Sequence, residues 1–165
     1  MQKAKQRSEI AKQDKWRIED IYATDEAWEA DYNECIRRAK EKCVYQGRLA
    51  ESAQILYQAL KESDEADLLV EHVYVYAFMK YYEDTANAVY QEMSGRAQAA
   101  VTKLSEKYAF LTPEILAIDQ KKMQEYLNSD TLALYRHALE DILAKKEHAL
   151  SEKEERLLAM AGQVT

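Results

Sequence analysis

Histidine, cysteine and carboxylate side chains at fixed helical spacings are where hydrolytic or metal chemistry would first show, and here the spacings do not suit it. The three histidines are His72, His137 and His148. None lies in a His-Glu-x-x-His run, which would put two zinc ligands and a general base on one helix face. None has a glutamate three residues before it, because Leu69, Leu134 and Lys145 occupy those places, so the Glu-x-x-His pair of di-iron bundles is missing as well. His137 has Glu140 and Asp141 one turn on. These could orient an imidazole or make a weak metal site, but a surface histidine with carboxylates at i+3 and i+4 is the simpler reading. There is no Gly-rich phosphate loop and no Ser/His/Asp or Cys/His constellation, and most carboxylates belong to solvated helix faces rather than to an acid–base pair. No catalytic residue and no metal ligand is assigned, and the segment alone should be inactive.

Two further residue types invite chemistry. Cys35 and Cys43 lie eight apart on what reads as one helix, so about 12 Å of rise would separate them. A disulfide needs Cα atoms within roughly 7 Å, so the pair reads as small core or boundary residues. The tyrosines are the compositional oddity, twelve in 165 residues. Tyr74, Tyr76, Tyr81, Tyr82 and Tyr90 gather around one predicted turn. Most read as rings filling space between helices with hydroxyls reaching water or a partner. Tyr76 and Tyr82, which the spacing points away from the apolar stripe, are the candidates for a cleft or interdomain wall.

These residues need a scaffold, and the sequence predicts an all-α one: an up-and-down helical bundle organised around a long helical hairpin, with shorter flanking helices. Ala66, Leu69, Val70, Val73, Tyr74, Ala77, Phe78 and Tyr81 recur at steps of three and four, as do Val89, Tyr90, Met93, Ala97, Ala100, Val101, Leu104, Tyr108 and Leu111. Each set makes one face of a helix that must be buried. Asp84 and Thr85 between them are capping residues, so the chain turns there. One proline and three glycines in the chain leave little punctuation, which favours long helices. The formal net charge of −7 argues against a nucleic-acid partner, and no run of apolar residues is long enough to cross a membrane. The basic N-terminus has no apolar segment behind it to make a secretory signal. A cytoplasmic location is expected.

Taken in order, residues 1–14 read as an extended or flexible arm and 15–165 as one helical lobe. Trp16, Ile18 and Ile21 anchor the arm. Thr24 caps a helix with the stripe Trp28, Tyr32, Cys35, Ile36, Ala39 and Cys43, ended by Gly47 as a left-handed cap. Ser52 starts a short helix, and Ser63-Asp64 interrupts it. After the hairpin, Thr112-Pro113-Glu114 is a helix start, Asp119 caps the next helix, and Asn128-Ser129-Asp130 precedes the helix of Leu132, Tyr135, Leu139, Ile142 and Leu143. Ser151 to Glu154 forms a capping box for a last helix with Leu157, Leu158 and Ala161.

Some of these stretches share an order and spacing with a known family. Lys15-Trp16-Arg17-Ile18-Glu19-Asp20-Ile21-Tyr22 is followed by Glu26-Ala27-Trp28, Gly47-Arg48-Leu49, Tyr76-Ala77, Asp84-Thr85-Ala86-Asn87 and Tyr90-Gln91. Pro113-Glu114-Ile115-Leu116, Tyr135-Arg136-His137, Leu139-Glu140 and His148-Ala149-Leu150-Ser151, with Glu154-Glu155 behind, close the series. Together they resemble the N-terminal domain of the oligoendopeptidase F family, within the thimet-oligopeptidase-like zinc metallopeptidases. Arg17 departs from the family, where an acidic residue is more usual. The resemblance implies a zinc endopeptidase acting on short peptides, with its His-Glu-x-x-His helix in a C-terminal catalytic domain that this chain lacks. It carries no cofactor onto this segment; zinc is implied for the full-length enzyme only. The implied role is a non-catalytic lobe forming one wall of the substrate cleft, with the missing catalytic domain as partner and self-association of the isolated lobe through the uncovered face. The alternative is a stand-alone helical adaptor for a peptide or partner helix.

Overall fold

The computed structural model describes residues 9–146, so His148, the Ser151 capping box and the helix expected after it lie outside the described residues. The α-helices are α1 (Asp25–Lys40), α2 (Ala53–Glu83), α3 (Ala88–Tyr108), α4 (Leu111–Ala117), α5 (Gln120–Leu127) and α6 (Arg136–Lys146). Short 3-10 helices occupy Lys12–Asp14, Ile18–Asp20 and Asp130–Tyr135. No strand occurs among the described residues. The all-α bundle expected from the periodicity is what forms.

By packing, the described residues separate into two units: 9–44 together with 60–109, and 45–59 together with 110–146. In the first, α2 and α3 form the expected antiparallel hairpin. Glu62, early in α2, accepts from Lys107 Nζ at 3.3 Å and from the Tyr108 hydroxyl at 2.8 Å at the end of α3. At the other end Lys80 lies 5.3 Å from the centre of the Tyr90 ring. The closest backbone neighbour of α3, however, is α1. Glu29 meets Arg96 and the Arg38 carbonyl meets Lys107 Nζ, so α1 runs parallel to α3 and opposite to α2. Small side chains at Ala97 and Ala100, both fully buried, permit that approach.

The second unit is held by contacts of its own. Gly47 N donates to Glu114 Oε1, the Tyr126 hydroxyl donates to the Ala50 carbonyl at 3.0 Å, and the Tyr57 and Tyr135 rings meet edge to face at 5.8 Å. Leu49, Leu56, Ile115, Leu132 and Leu139 form its core. Asp119 caps α5 as expected, accepting from Lys121 N and Lys122 N at 3.0 and 3.2 Å.

Several boundaries differ from the sequence reading. Ser63 and Asp64 do not interrupt α2; with no glycine or proline there, the helix runs through and buries Ser63. The first helix ends at Lys40 rather than near Gly47, because Glu41 turns extended (φ −74°, ψ 138°) and Lys107 takes the Arg38 carbonyl. Cys35 and Cys43 therefore do not share a helix, although both are buried. Gly47 is left-handed (φ 81°), in a turn rather than at a helix end. Asn87, not Asp84, caps α3 through Val89 N, while Asp84 folds its own turn onto Ala86 N. α4 starts at Leu111, so Thr112 is not its cap, and Pro113 sits in the first turn, where its missing N–H leaves no gap. The helix expected over 132–143 is a 3-10 turn followed by α6.

Candidate functional site

Ile18 anchors the segment that precedes α1. Its side chain is 1% exposed, and such burial is worth about 2 kcal/mol. Tyr22 continues the anchor: its ring meets Tyr76 edge to face at 5.3 Å, and its hydroxyl donates to Asp31 at 2.7 Å. Between this segment and the last turns of α2 lies a groove of about 310 Å³, lined by Ile10, Asp14, Lys15, Trp16, Ile18, Met79, Tyr82 and Glu83. Trp16 and Tyr82 stand in it at 72% and 70% exposure. Two open aromatic rings over an apolar floor are adhesive surface that a solvated helix does not need.

The two tyrosines singled out from the sequence part company here. Tyr82 lines the groove. Tyr76 does not point away from the stripe as its spacing suggested; it is 1% exposed, and its hydroxyl donates to Asp25 at 2.7 Å. The physical reason is that α1 and the segment before it cover a second side of α2, which a one-face reading leaves in water. Burial first, and the bond to Asp25 next, push the Tyr76 phenol well above its ordinary range. Trp16, expected from the sequence to anchor the arm, is instead the groove's other ring. Its signal was present: an indole between Lys15 and Arg17 with no apolar neighbour at helical spacing.

A second cavity, of about 290 Å³, opens between the first turns of α1 and α3 and is lined by Asp25, Glu26, Glu29, Val89, Glu92, Met93 and Arg96. The Arg96 guanidinium bonds Glu29 and lies 4.2 Å from the Tyr32 ring centre and 5.2 Å from Trp28, two rings stacked at 5.3 Å. That bond holds the Glu29 carboxyl below the usual carboxylate range. His137 is exposed and faces Asp141 at 3.7 Å. Among the described residues, no three His, Cys, Asp or Glu side chains stand together so as to hold a metal ion. The described part of the chain therefore does not fit a zinc site. What it offers is surface: an aromatic groove and an acidic hollow.

Comparison with known proteins gives this surface a context. The family model described as Oligopeptidase F matches residues 114–165. Oligopeptidase PepF of Bacillus subtilis (strain 168) is 40% identical over 159 residues, which is 96% of this chain and 24% of that protein. An oligoendopeptidase F homolog of Lactococcus lactis subsp. lactis is 39% identical over 98% of this chain and 27% of its own length. The chain thus spans about a quarter of the length of these curated relatives. The crystal structure of oligoendopeptidase-F from Enterococcus faecium superposes with a TM-score of 0.69 at 30% identity, covering 85% of this chain and 27% of that one. A solved structure from Chlamydophila abortus shares the fold over 96% of this chain, with a TM-score of 0.80 at 24% identity. The order of matched stretches, the family model and the shared fold agree: this chain belongs to the oligoendopeptidase F family, in its N-terminal domain.

Proposed function

We propose that this chain is the non-catalytic N-terminal lobe of a zinc-dependent oligoendopeptidase that hydrolyses short peptides, and that it forms one wall of the substrate cleft. The observation that carries this reading is the match along 96% of the chain to a protein four times as long, Bacillus subtilis oligopeptidase PepF, whose name denotes peptide cleavage. Zinc, held by residues of the remaining three quarters, would supply the hydrolytic chemistry. This chain's own residues supply shape. Tyr82, with Trp16, presents the aromatic face of the wall; Tyr76 supports it from beneath by fixing α2 to α1 through Asp25.

The test is a chimera in which this chain replaces the corresponding quarter of the Bacillus subtilis protein. Cleavage of a short quenched-fluorescence peptide by the chimera, with none by this chain alone, is the expected outcome. Cleavage by this chain alone would overturn the reading, and so would a folded, zinc-loaded chimera that binds no peptide. A free helical adaptor would need no such partner, and the chimera separates the two.

A further inference from the structure

We infer that the outward face of α2, from Leu68 to Met79, is the seat for an amphipathic helix of the enzyme's remaining three quarters; this rests on the reading of the chain as one lobe of a longer peptidase and names the face by which it docks. Leu68, His72, Val75, Met79 and Tyr82 follow one another along α2 at alternating steps of four and three. At about 100° per residue they share one narrow stripe, half a turn away from the buried Ala66, Val70, Val73 and Ala77. Leu68 is 58% exposed, Tyr82 and His72 are open, and Val75 and Met79 are half-buried.

The neighbouring helix shows what a solvated face looks like in this molecule. The exposed side of α3 carries Gln91, Gln98, Thr102 and Glu106, all polar. The outer stripe of α2 is apolar or aromatic everywhere but at His72, so water is not its ordinary neighbour. Alternating steps of four and three are the spacing of a coiled-coil seam, which selects a helix aligned with α2 over a strand or an extended peptide. From Leu68 to Met79 the seat is about 17 Å long, room for three turns of such a helix. It stops at Tyr82, where the groove with Trp16 begins, so the docked helix borders the cleft without filling it.

Charge separates the possible occupants. From Glu62 to Met79, α2 carries carboxylates and no lysine or arginine. Glu62 is taken by Lys107 and Glu65 by Lys61, while Asp64, Asp67 and Glu71 lie along one edge of the stripe. Burial first, and Asp64 next, raise the Asp67 carboxyl, as happens where like charges crowd. A second copy would bring the same acidic edge and a net charge of −7 to the contact, and would be repelled. A helix with lysine or arginine beside its own apolar stripe suits both features. The relatives carry about three quarters of their length outside the matched region, and that is where the helix lies.

The test is the reach of a reagent to this face. Cys35 and Cys43 are both buried, so a thiol placed on the surface reports separately. Leu68→Cys and, as control on the polar face of α3, Gln98→Cys are made in the 165-residue chain and in its chimera with the Bacillus subtilis protein. Labelling by a bulky maleimide is followed at each site by peptide mass. Leu68→Cys is expected to react about tenfold more slowly in the chimera than in the chain alone, with Gln98→Cys alike in both. Equal rates for Leu68→Cys in the two proteins overturn the docking face, and peptide cleavage by that chimera then still upholds the lobe. Protection of Leu68→Cys in a chimera that binds no peptide keeps the docking face and sinks the cleft wall. Equal protection at Gln98→Cys overturns the assignment to α2. Protection in the chain alone that grows with its concentration makes a second copy the occupant and overturns the inference. So does a chimera that fails to fold beside a folded Bacillus parent, because the two surfaces then do not match.

Discussion

The indole N–H of Trp28 donates to the main-chain carbonyl of Val73 across 2.8 Å, tying α1 to the middle of α2. The ring is fully buried, stacks on Tyr32 and lies under Arg96. Trp28→Phe removes the donor and part of the packed volume while keeping an aromatic ring. The expected cost is about 2 kcal/mol, because the carbonyl is also placed to serve the helix and only the tryptophan bond and some packing are lost. Urea unfolding should show a lower midpoint with an unchanged slope.

Lys107 is the second pin. Its ammonium, on a side chain 8% exposed, donates to the Arg38 carbonyl at 3.0 Å where α1 ends and to Glu62 at 3.3 Å. Lys107→Met keeps the apolar stem and strips both bonds, for an expected loss of about 2 kcal/mol. Glu62→Gln should cost less, since the lysine keeps the carbonyl and Tyr108 can still donate. Thermal unfolding of the two variants side by side checks the ranking.

Acid should weaken the fold gradually. Hydrogen bonds from Arg37 and Arg38 hold the Glu34 carboxyl at about 2, and Arg96 holds Glu29 low as well. A carboxyl depressed in the folded state stabilises fully above its unfolded value of about 4.3, and that contribution disappears as pH falls towards 2. Both sites are partly solvated, so each contributes under about 1 kcal/mol. Glu34→Gln should be slightly less stable than the parent at pH 7, with the gap closing by pH 2 to 3 in urea titrations.

Alkali acts through different groups. Tyr22, Tyr76 and Tyr108 are buried and donate to Asp31, Asp25 and Glu62, so their phenols are raised, chiefly by burial and then by those bonds. A raised phenol contributes stability that is present below the unfolded value of about 10 and lost as pH climbs through the folded one. Phenolate absorbance at 295 nm should therefore show these three ionising together with loss of helical signal. Tyr76→Phe should make the alkaline loss of stability shallower.

How much of this was legible depended on whether one helix face told the whole story. The hairpin was, because Val73, Ala77, Ala97, Ala100 and Leu104 keep a 3.6-residue period and are buried. Thr24 and Asp119 were legible as caps because a short oxygen-bearing side chain before a helix has a definite backbone use. Tyr76 was not: its burial comes from Asp25 and Tyr22, more than fifty residues earlier in the chain, and no local period encodes that. The end of α1 is hidden for the same reason, since Lys107, from another helix, donates to the Arg38 carbonyl there. Ser63-Asp64 misled in the opposite way, offering capping side chains where the surrounding residues favour helix throughout. The groove is half legible: Tyr82 lies off the apolar stripe, whereas Trp16 shares its short segment with the buried Ile18 and so reads as an anchor.

The parallel seating of α1 on α3 has a kinetic consequence. The hairpin of α2 and α3 closes over a four-residue turn, whereas Glu29 and Arg96, or Arg38 and Lys107, must meet across more than sixty residues of chain. Loop-closure entropy makes the first event cheap and the second costly, so local contacts should form before the distant ones. We expect α2 and α3 to pair in the folding transition state and α1 to dock after it. Trp28→Phe should then speed unfolding with little change in the refolding arm of the chevron, while Ala97→Gly in α3 should slow refolding. Equal partitioning of both substitutions between the two arms would mean that α1 is already in place at the barrier.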